Sequence, residues 1–326
     1  MSKLDKQFGD SFITVQDSDK PPQLSILMPI HNCQGYIQEA LLSVLAQQRA
    51  IAEIIISDDA STDSTFNQVL ETIEQWLEKT PQTHRIVLRR GSERLRRDHL
   101  HLLVNKASCD IVCQAHGDDI SNPLRAAYLL GCFSTSQLRA NMVFINPDLI
   151  GGDGRLLRGL GVLPEQMGLS KVTYEMIFGA HDALIGATMA WRKSVLSQFP
   201  QLTTNLAAFG HDRVMAFRSY LLGGCFLINA PLIKRRIHHA NWSKNLFQQP
   251  KAVQVNFGGS LVRLSFFSRM KEDLEIAHNN CWISANRFQL LKNLLEGRLE
   301  VSVNELLDST SALTRLGYTV NWDKNE

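Results

Sequence analysis

Five short clusters in this chain hold the residue types that bind charged ligands or move protons. Asp58 and Asp59 end one apolar run and precede an amphipathic one; acceptors there can take the N–H edge of a base or a ribose hydroxyl, or cap the following helix. His116-Gly117-Asp118-Asp119 follows another apolar run. Carboxylates so placed can hold a hard divalent cation that bridges to phosphate oxygens and neutralises a diphosphate leaving group. Gly117 would let the backbone approach a ligand closely, and the plain reading of the cluster is a polar turn. Gly210-His211-Asp212 stands before a helical period, where a carboxylate can take a proton from an attacking hydroxyl or act as a cap. Arg235, Arg236, His238 and His239, followed by Asn241 and Ser243, can bind phosphate or a metal, or form a solvated basic loop. A second basic group, Arg85, Arg89, Arg90, Arg94, Arg96 and Arg97, can face an anionic acceptor or a membrane surface, or be a solvated face.

Hydrophobic period shows the elements that must position these clusters. Residues 24–28 form an apolar run bounded by Pro29 and read as a buried strand. Ile37, Leu41, Val44 and Leu45 keep helical spacing. The β-branched run 54–56 reads as a second strand and breaks into Asp58-Asp59-Ala60-Ser61-Thr62-Asp63. Phe66, Val69, Leu70, Ile73, Trp76 and Leu77 line one face of the next helix, which Thr62 or Asp63 can cap. Residues 84–88 and 110–115 read as strands and 92–107 as a helix. Strands alternating with helices predict a parallel sheet covered by helices, with ligands at the carboxyl ends of its strands. His31-Asn32, Asp58-Asp59 and His116 to Asp119 fall at those ends. Further on, 142–146, 186–191 and 226–231 read as strands and 151–154 as a turn. Residues 212–222 read as a helix with Val214, Phe217 and Leu221 on one face. From about residue 250 the chain turns helical, with Phe288, Leu291, Leu295 and Leu299 in period. Ser302 and Glu305 form a capping-box pattern that predicts a helix start before Leu306.

At 326 residues the chain can bury one large core or two moderate ones. Its 34 Lys and Arg against 32 Asp and Glu leave a net charge of +2, too small for a general nucleic-acid binder. The same small net charge argues against an intrinsically disordered chain, and a hydrophobic share of 44% is ordinary for a folded one. No apolar run reaches the roughly 18 residues of a membrane-spanning helix, and residues 1–20 lack a secretory core. The six cysteines, Cys33, Cys109, Cys113, Cys132, Cys225 and Cys281, show neither disulfide nor zinc-finger spacing. They are expected as reduced thiols in a cytosolic protein.

The string from residue 24 to residue 63, with Pro29-Ile30-His31-Asn32, Asp58-Asp59-Ala60-Ser61-Thr62-Asp63 and the long amphipathic helix, resembles the family 2 glycosyltransferases. The resemblance continues through Arg97, where the family often has Ala-Arg-Asn, and through the Asp-x-Asp-like element at His116 to Asp118. His211-Asp212 looks like the family's Glu-Asp pair, with Arg218 beyond; Arg236-Ile237-His238 and Ser243 are similar to its late Arg-x-His. About residues 23–245 are covered. The resemblance implies the GT-A fold: an α/β, Rossmann-like, mostly parallel central sheet flanked by helices, here with a C-terminal helical extension. The expected organisation is a flexible leader (1–22), a nucleotide-sugar-binding half (23–120), an acceptor-binding half (121–245) and a C-terminal helical region (246–326).

The same resemblance implies transfer of a sugar, with inversion, from a nucleotide donor to a glycan or lipid-linked glycan hydroxyl. UDP is the favoured nucleotide because Asp58 suits a base N–H. Pro29, His31 and Asn32 would border the nucleobase, and Arg97, His116 and Gly117 would line the donor site. Asp118 would ligate Mn²⁺ or Mg²⁺, with His238 completing the metal and diphosphate contacts. Asp212 would be the general base, and His211 and Arg236 would meet the acceptor or the diphosphate. His116 and His211 depart from the family's acidic residues at their positions. They motivate a second expectation, a non-catalytic GT-A module that binds a glycan or nucleotide. Nucleotidyl transfer would call for a Gly-rich phosphate loop after the first strand, and only Gly35 stands there. Residues 261–271 mix Leu261, Leu264, Phe266 and Phe267 with Arg263, Arg269 and Lys271, a pattern for core packing or for a peripheral contact with an anionic membrane.

Overall fold

The computed structural model describes residues 9–18, 22–48, 52–80, 84–96, 98–159, 168–179, 181–200, 211–238 and 252–315. Its elements, in chain order, are β1 (Ile13–Gln16), β2 (Leu24–Ile30), α1 (Ile37–Leu45), β3 (Ala52–Asp58), α2 (Thr65–Lys79), β4 (Arg85–Arg90), α3 (Asp98–Lys106), β5 (Ile111–Gln114), β6 (Ile120–Ser121) and α4 (Arg125–Ser134). There follow β7 (Met142–Ile145), β8 (Asp148–Gly151), β9 (Leu156–Arg158), β10 (Gly168–Lys171), α5 (Tyr174–Phe178), β11 (Ala190–Arg192), α6 (Lys193–Ser197) and α7 (His211–Leu221). The last are β12 (Cys225–Asn229), β13 (Ile233–Ile237), α8 (Ala252–Asn279) and α9 (Ala285–Arg315). They divide into two units, Met1–Gln198 with Gly223–Ile237, and Phe199–Leu222 with His238–Glu326.

In the first unit the short apolar runs become the middle of a nine-stranded sheet, ordered β1-β4-β3-β2-β5-β11-β7-β12-β10. β4, β3, β2 and β5 are parallel neighbours, and so are β7 and β12. β11 runs antiparallel to both β5 and β7, so the two parallel blocks point the same way. Only β1, β10 and β11 oppose them, and the expected mostly parallel sheet is present. β3 is buried at every position and β2 at all but Pro29, as strands covered on both faces must be. α1 buries Ile37, Ala40, Leu41, Val44 and Leu45, and α2 buries Phe66, Val69 and Ile73. Each of these side chains larger than Ala40 contributes roughly 1.5–3 kcal/mol of transfer free energy. A smaller sheet, β6-β13-β8-β9, carries the chain beyond the His116 cluster.

Several expectations change. Residues 13–16 are not loose leader but an edge strand; Ile13 pairs with Leu88, and the Gln16 side-chain amide donates to the His84 carbonyl at 2.8 Å. The run 186–191 divides into a 3₁₀ turn, Gly186–Thr188, and the three-residue β11. The arginines of residues 85–94 are not a free anionic-ligand face. Arg85 pairs with the buried Glu53, and Arg89 is buried on Asp10 and Ser57. Arg90 lies 5.1 Å from the Phe66 ring centroid, and Arg94 reaches the Asp59 carboxylate at 4.0 Å.

The second unit is helical. α7 buries Val214, Met215, Ala216, Phe217, Arg218, Ser219 and Leu221, so nearly all of its circumference is covered. Arg218 donates to Asp273 of α8 through Nε (2.7 Å) and Nη2 (3.0 Å), with both side chains fully buried. In α8, Phe266, Phe267, Met270 and Leu274 are buried and Leu261 and Leu264 half-buried, as core packing of the 261–271 stretch expects; Lys271 pairs with Glu296 at 3.1 Å and Arg263 with Glu305 of α9. The capping box is absent. α9 runs unbroken through Ser302, whose hydroxyl donates to the Arg298 carbonyl at 2.9 Å, and Glu305 turns to Arg263 and Ser260 instead. No helix among the described residues is long and apolar enough to cross a membrane.

Candidate functional site

The carboxyl ends of β2, β3 and β5 bring three of the polar clusters to one edge of the sheet. The loops after β2 and β3 are joined side by side. Asn32, in the left-handed region at φ 46°, donates its N–H to the Ser61 hydroxyl (2.9 Å) and accepts the Thr62 N–H on its side chain (2.9 Å). The Cys33 N–H donates to the Thr65 hydroxyl (2.8 Å), and the Ser64 N–H to the Gln34 side chain (2.9 Å). Asp63 accepts the Thr65 N–H at 2.9 Å from outside the helix; the N-cap of α2 is Ser64, not the expected Thr62 or Asp63. His31 donates through Nδ1 to the Asp59 carbonyl at 2.9 Å.

The two aspartates divide their work. Asp58 is wholly buried and accepts the Ser61 N–H (3.0 Å) and hydroxyl. Asp59 accepts the N–H groups of Leu95 (2.6 Å) and Arg96 (2.9 Å), fixing the approach to α3. That anchorage explains why α3 begins at Asp98 rather than at residue 92. Pro29 is half-buried beside Ser57 in β3.

Beyond β5, His116, Asp118 and Asp119 each bring a ligand atom to within 4.8 Å of the others. His116 Nδ1 stands 3.8 Å from Asp119 Oδ2. Burial pushes the Asp119 carboxyl up to about 7, and the Asp118 charge adds to this; the Arg236 N–H and the charges of Arg235 and Arg125 oppose it. Two crowded carboxylates beside an imidazole suit a divalent cation, whose charge would relieve that crowding. The residues therefore fit the Mn²⁺ or Mg²⁺ that the fold implies. Asp119 is a member of this group that the search for an Asp-x-Asp element passes over, although two adjacent acids after a strand were its signal.

Two buried arginines brace the turn. Arg236 donates its N–H to Asp119 (2.8 Å), its Nε to the Asp118 carbonyl (2.9 Å), its Nη1 to the Gly151 and Gly152 carbonyls (both 3.3 Å) and its Nη2 to Glu39. Its guanidinium carbon lies 4.9 Å from the Tyr36 ring centroid. Arg125 donates to the carbonyls of Gln114 (2.8 Å) and Ala187 (3.0 Å). Gly117 is needed for packing: a Cβ there would lie 2.6 Å from Cys33 Sγ and 3.2 Å from Ile30 Cγ2.

His211 and Asp212 open α7 in the second unit, both half-buried, and Asp212 Oδ1 accepts the Arg213 N–H at 2.9 Å. A carboxylate in a first turn is favoured by the helix dipole. Burial lowers the Arg213 pKa, and the Arg263 charge adds to this while Asp212 opposes it. His238 follows β13, is half-buried and belongs to the second unit. Arg97, Gly210, His239, Asn241 and Ser243 lie outside the described residues.

Residues 25–196 match the model of Glycosyl transferase family 2. This chain belongs to that family. Bacillus subtilis EpsE, named as a glycosyltransferase, is 32% identical over 104 residues, 32% of this chain; the match spans only 36% of EpsE. An uncharacterized glycosyltransferase of Rickettsia prowazekii is 23% identical over 75% of this chain and 73% of its own length. Among solved structures, S. aureus TarS 1-349 in complex with UDP-GlcNAc superposes with a TM-score of 0.53 at 13% identity, covering 92% of this chain and 94% of TarS. The Pyrobaculum calidifontis mannosyltransferase PcManGT, in complex with GDP-Man and Mn²⁺, gives 0.53 at 14% identity over 94% and 80% of the two chains. The likeness to these structures establishes the GT-A fold for this family 2 glycosyltransferase.

Proposed function

We propose that the chain transfers a sugar from a nucleotide-sugar, UDP-linked by preference, to a glycan or lipid-linked glycan hydroxyl with inversion. The His116, Asp118 and Asp119 group at the carboxyl end of β5 carries this reading. The complexes of TarS with UDP-GlcNAc and of PcManGT with GDP-Man and Mn²⁺ support it. Pro29, His31 and Asn32 border the base; Asp58, wholly buried and accepting the Ser61 N–H and hydroxyl, would have to be uncovered from Ser61 to accept a base N–H. Arg97 and Gly117 contribute to the same donor site. Bound Mn²⁺ or Mg²⁺ would neutralise charge on the departing diphosphate. Arg236 keeps Asp118 and Asp119 in register for this, and His211 and His238 supply polar groups for the acceptor and the diphosphate. Asp212 takes the proton from the attacking hydroxyl as the new bond to the anomeric carbon forms.

Isothermal titration with UDP, GDP, CDP and dTDP, each with and without Mn²⁺, tests the donor site. One nucleotide is expected to bind selectively, more tightly with metal, and to lose the metal effect in Asp118→Ala. Binding of none of the four would overturn the donor site and favour a non-catalytic module. Asp212→Asn is expected to abolish transfer while nucleotide binding survives; undiminished turnover removes Asp212 from the mechanism.

A further inference from the structure

Among the described residues, the arginines and lysines of α7 and α8 are matched to carboxylates one by one, with one exception. Arg218 lies on Asp273, Arg263 on Glu305, Arg269 on Glu272 at 2.8 Å and Lys271 on Glu296. Arg213, in the first turn of α7, has neither a carboxylate partner nor an acceptor for its guanidinium among the described residues. It is half-buried all the same, with its guanidinium carbon 5.7 Å from the centroid of the Phe266 ring, itself buried on α8. Burial and the Arg263 charge both disfavour its charged form, and Asp212 opposes them.

A guanidinium keeps its charge at any working pH. A partly desolvated one without a counter-ion is a cost to the fold, and an anion supplied from outside would remove it. The surroundings suit an anion. Arg263 and Phe266 stand three residues apart on one face of α8, so a guanidinium over Phe266 comes near Arg263 and the two fields add. Arg263 is fixed by the Ser260 hydroxyl, which Nη2 meets at 3.0 Å, and by Glu305. The first turn of α7 adds the positive end of a helix dipole. An aromatic ring steadies the guanidinium plane, whose fork matches the paired oxygens of a carboxylate or phosphate. Asp212 repels an anion, so the ligand belongs on the α8 side of Arg213.

We propose that Arg213 binds an oxyanion, a phosphate or a carboxylate, carried by the acceptor. That the anion belongs to the acceptor rests on the reading of Asp212 as the base, since Arg213 is its neighbour in the first turn of α7. The bound anion would hold the acceptor against the element that carries the base, and acceptors without the group would bind more weakly.

The test uses the full chain and three probes that share one ring and differ at C6: glucose 6-phosphate, glucuronate and glucose. The side-chain Nε–H resonances of ¹⁵N-arginine-labelled protein are followed, that of Arg213 being assigned by its loss in Arg213→Lys. It is expected to shift saturably with at least one of the two anions and not with glucose, and the anion that moves it identifies the oxyanion. Arg213→Leu is expected to weaken that anion about 10–100-fold, read from the probe's own saturation-transfer signal, and Arg213→Lys, which keeps the charge and loses the fork, to weaken it less. Both variants are expected to unfold thermally at or above the wild-type midpoint without anion, because an unmatched buried charge is removed or freed. A purely structural role over Phe266 would instead lower that midpoint in Arg213→Leu and leave the anions without effect. No shift with either anion, an equal shift with glucose, or equal anion affinity in wild type and Arg213→Leu overturns the inference. Anion binding at Arg213 together with undiminished transfer in Asp212→Asn overturns the assignment to the acceptor and leaves the anion site standing.

Discussion

The ion pair between Arg218 and Asp273 offers a quantitative check on what holds the helical unit together. Both side chains are fully buried. Arg218 also donates Nη2 to the Pro200 carbonyl at 3.0 Å and faces the Phe199 ring at 4.9 Å, while its Nη1 is buried with no hydrogen-bond partner among the described residues. Removing one member of such a pair leaves the other desolvated, at a cost of about 3–5 kcal/mol. The two halves should not cost the same. A buried carboxylate can escape by taking a proton, and burial already raises the Asp273 pKa against the opposing pull of Arg218. A guanidinium has no such escape. Asp273→Leu is therefore expected to lose about 4–5 kcal/mol and Arg218→Met about 2–4 kcal/mol, the latter less at lower pH. Because one guanidinium N–H group is unsatisfied, the double variant Arg218→Met/Asp273→Leu should recover to within about 1 kcal/mol of wild type or exceed it. Urea unfolding gives the totals, and hydrogen exchange of peptides from α7 and α8 shows whether the loss is local to this unit. A loss below about 1 kcal/mol in Asp273→Leu, or a double variant no better than the worse single, would refute the account. Since α7 also carries Asp212, the same peptides report on the element that holds the proposed base.

Gly117→Ala is expected to cost about 1–3 kcal/mol by overpacking against Cys33, and Cys33→Ala in the same chain to return part of it; urea midpoints that show no rescue would assign the strain elsewhere. His99 is buried, with Nε2 2.8 Å from the Ser57 hydroxyl, and its pKa is pushed down to about 4 by burial, against the pull of Asp59 and with the charges of Arg89 and His31 adding. The unfolded chain takes up this proton near pH 6.5 and the folded one does not, so stability is fully present above that pH and is lost as pH falls toward 4. Between pH 7 and pH 5 the loss should be about 2 kcal/mol, and it should flatten in His99→Gln except for a smaller remainder of the same sign from His84, whose pKa burial also lowers. An unchanged pH slope in that variant would assign the effect to other groups.

The parallel block was readable because its signal is local. Strands buried on both faces read as short apolar runs, and Leu24 to Ile30 and Ala52 to Asp58 each hold one, at Ile26 to Met28 and Ile54 to Ile56. β1 was not readable, because four residues on a sheet edge carry no period and owe their order to β4, some 70 residues away. The basic run from Arg85 to Arg94 misled for the same reason. A cluster of like charges in sequence says nothing about partners such as Asp10 and Glu53, which arrive from other strands. Ser302 and Glu305 matched a capping box, yet a cap needs a break before it, and the α8 side chains Arg263 and Ser260 engage Glu305 in an unbroken helix.

In the candidate site the division is finer. The carboxylates and the imidazole that can meet a cation were readable as residue types at strand ends, because their chemistry is in their side chains. The residues that hold them were not. Arg236 was expected to meet a ligand, but the residue is 3% exposed and three of its acceptors are main-chain carbonyls, of Asp118, Gly151 and Gly152. Arg125 likewise donates to the carbonyls of Gln114 and Ala187. Every residue carries a carbonyl, so a side chain that recognises main chain leaves no partner type to search for. Gln114 is the exception that a strand period could have shown. Residues two apart on an extended segment share a face, and an amide two positions before an imidazole is therefore within reach of it.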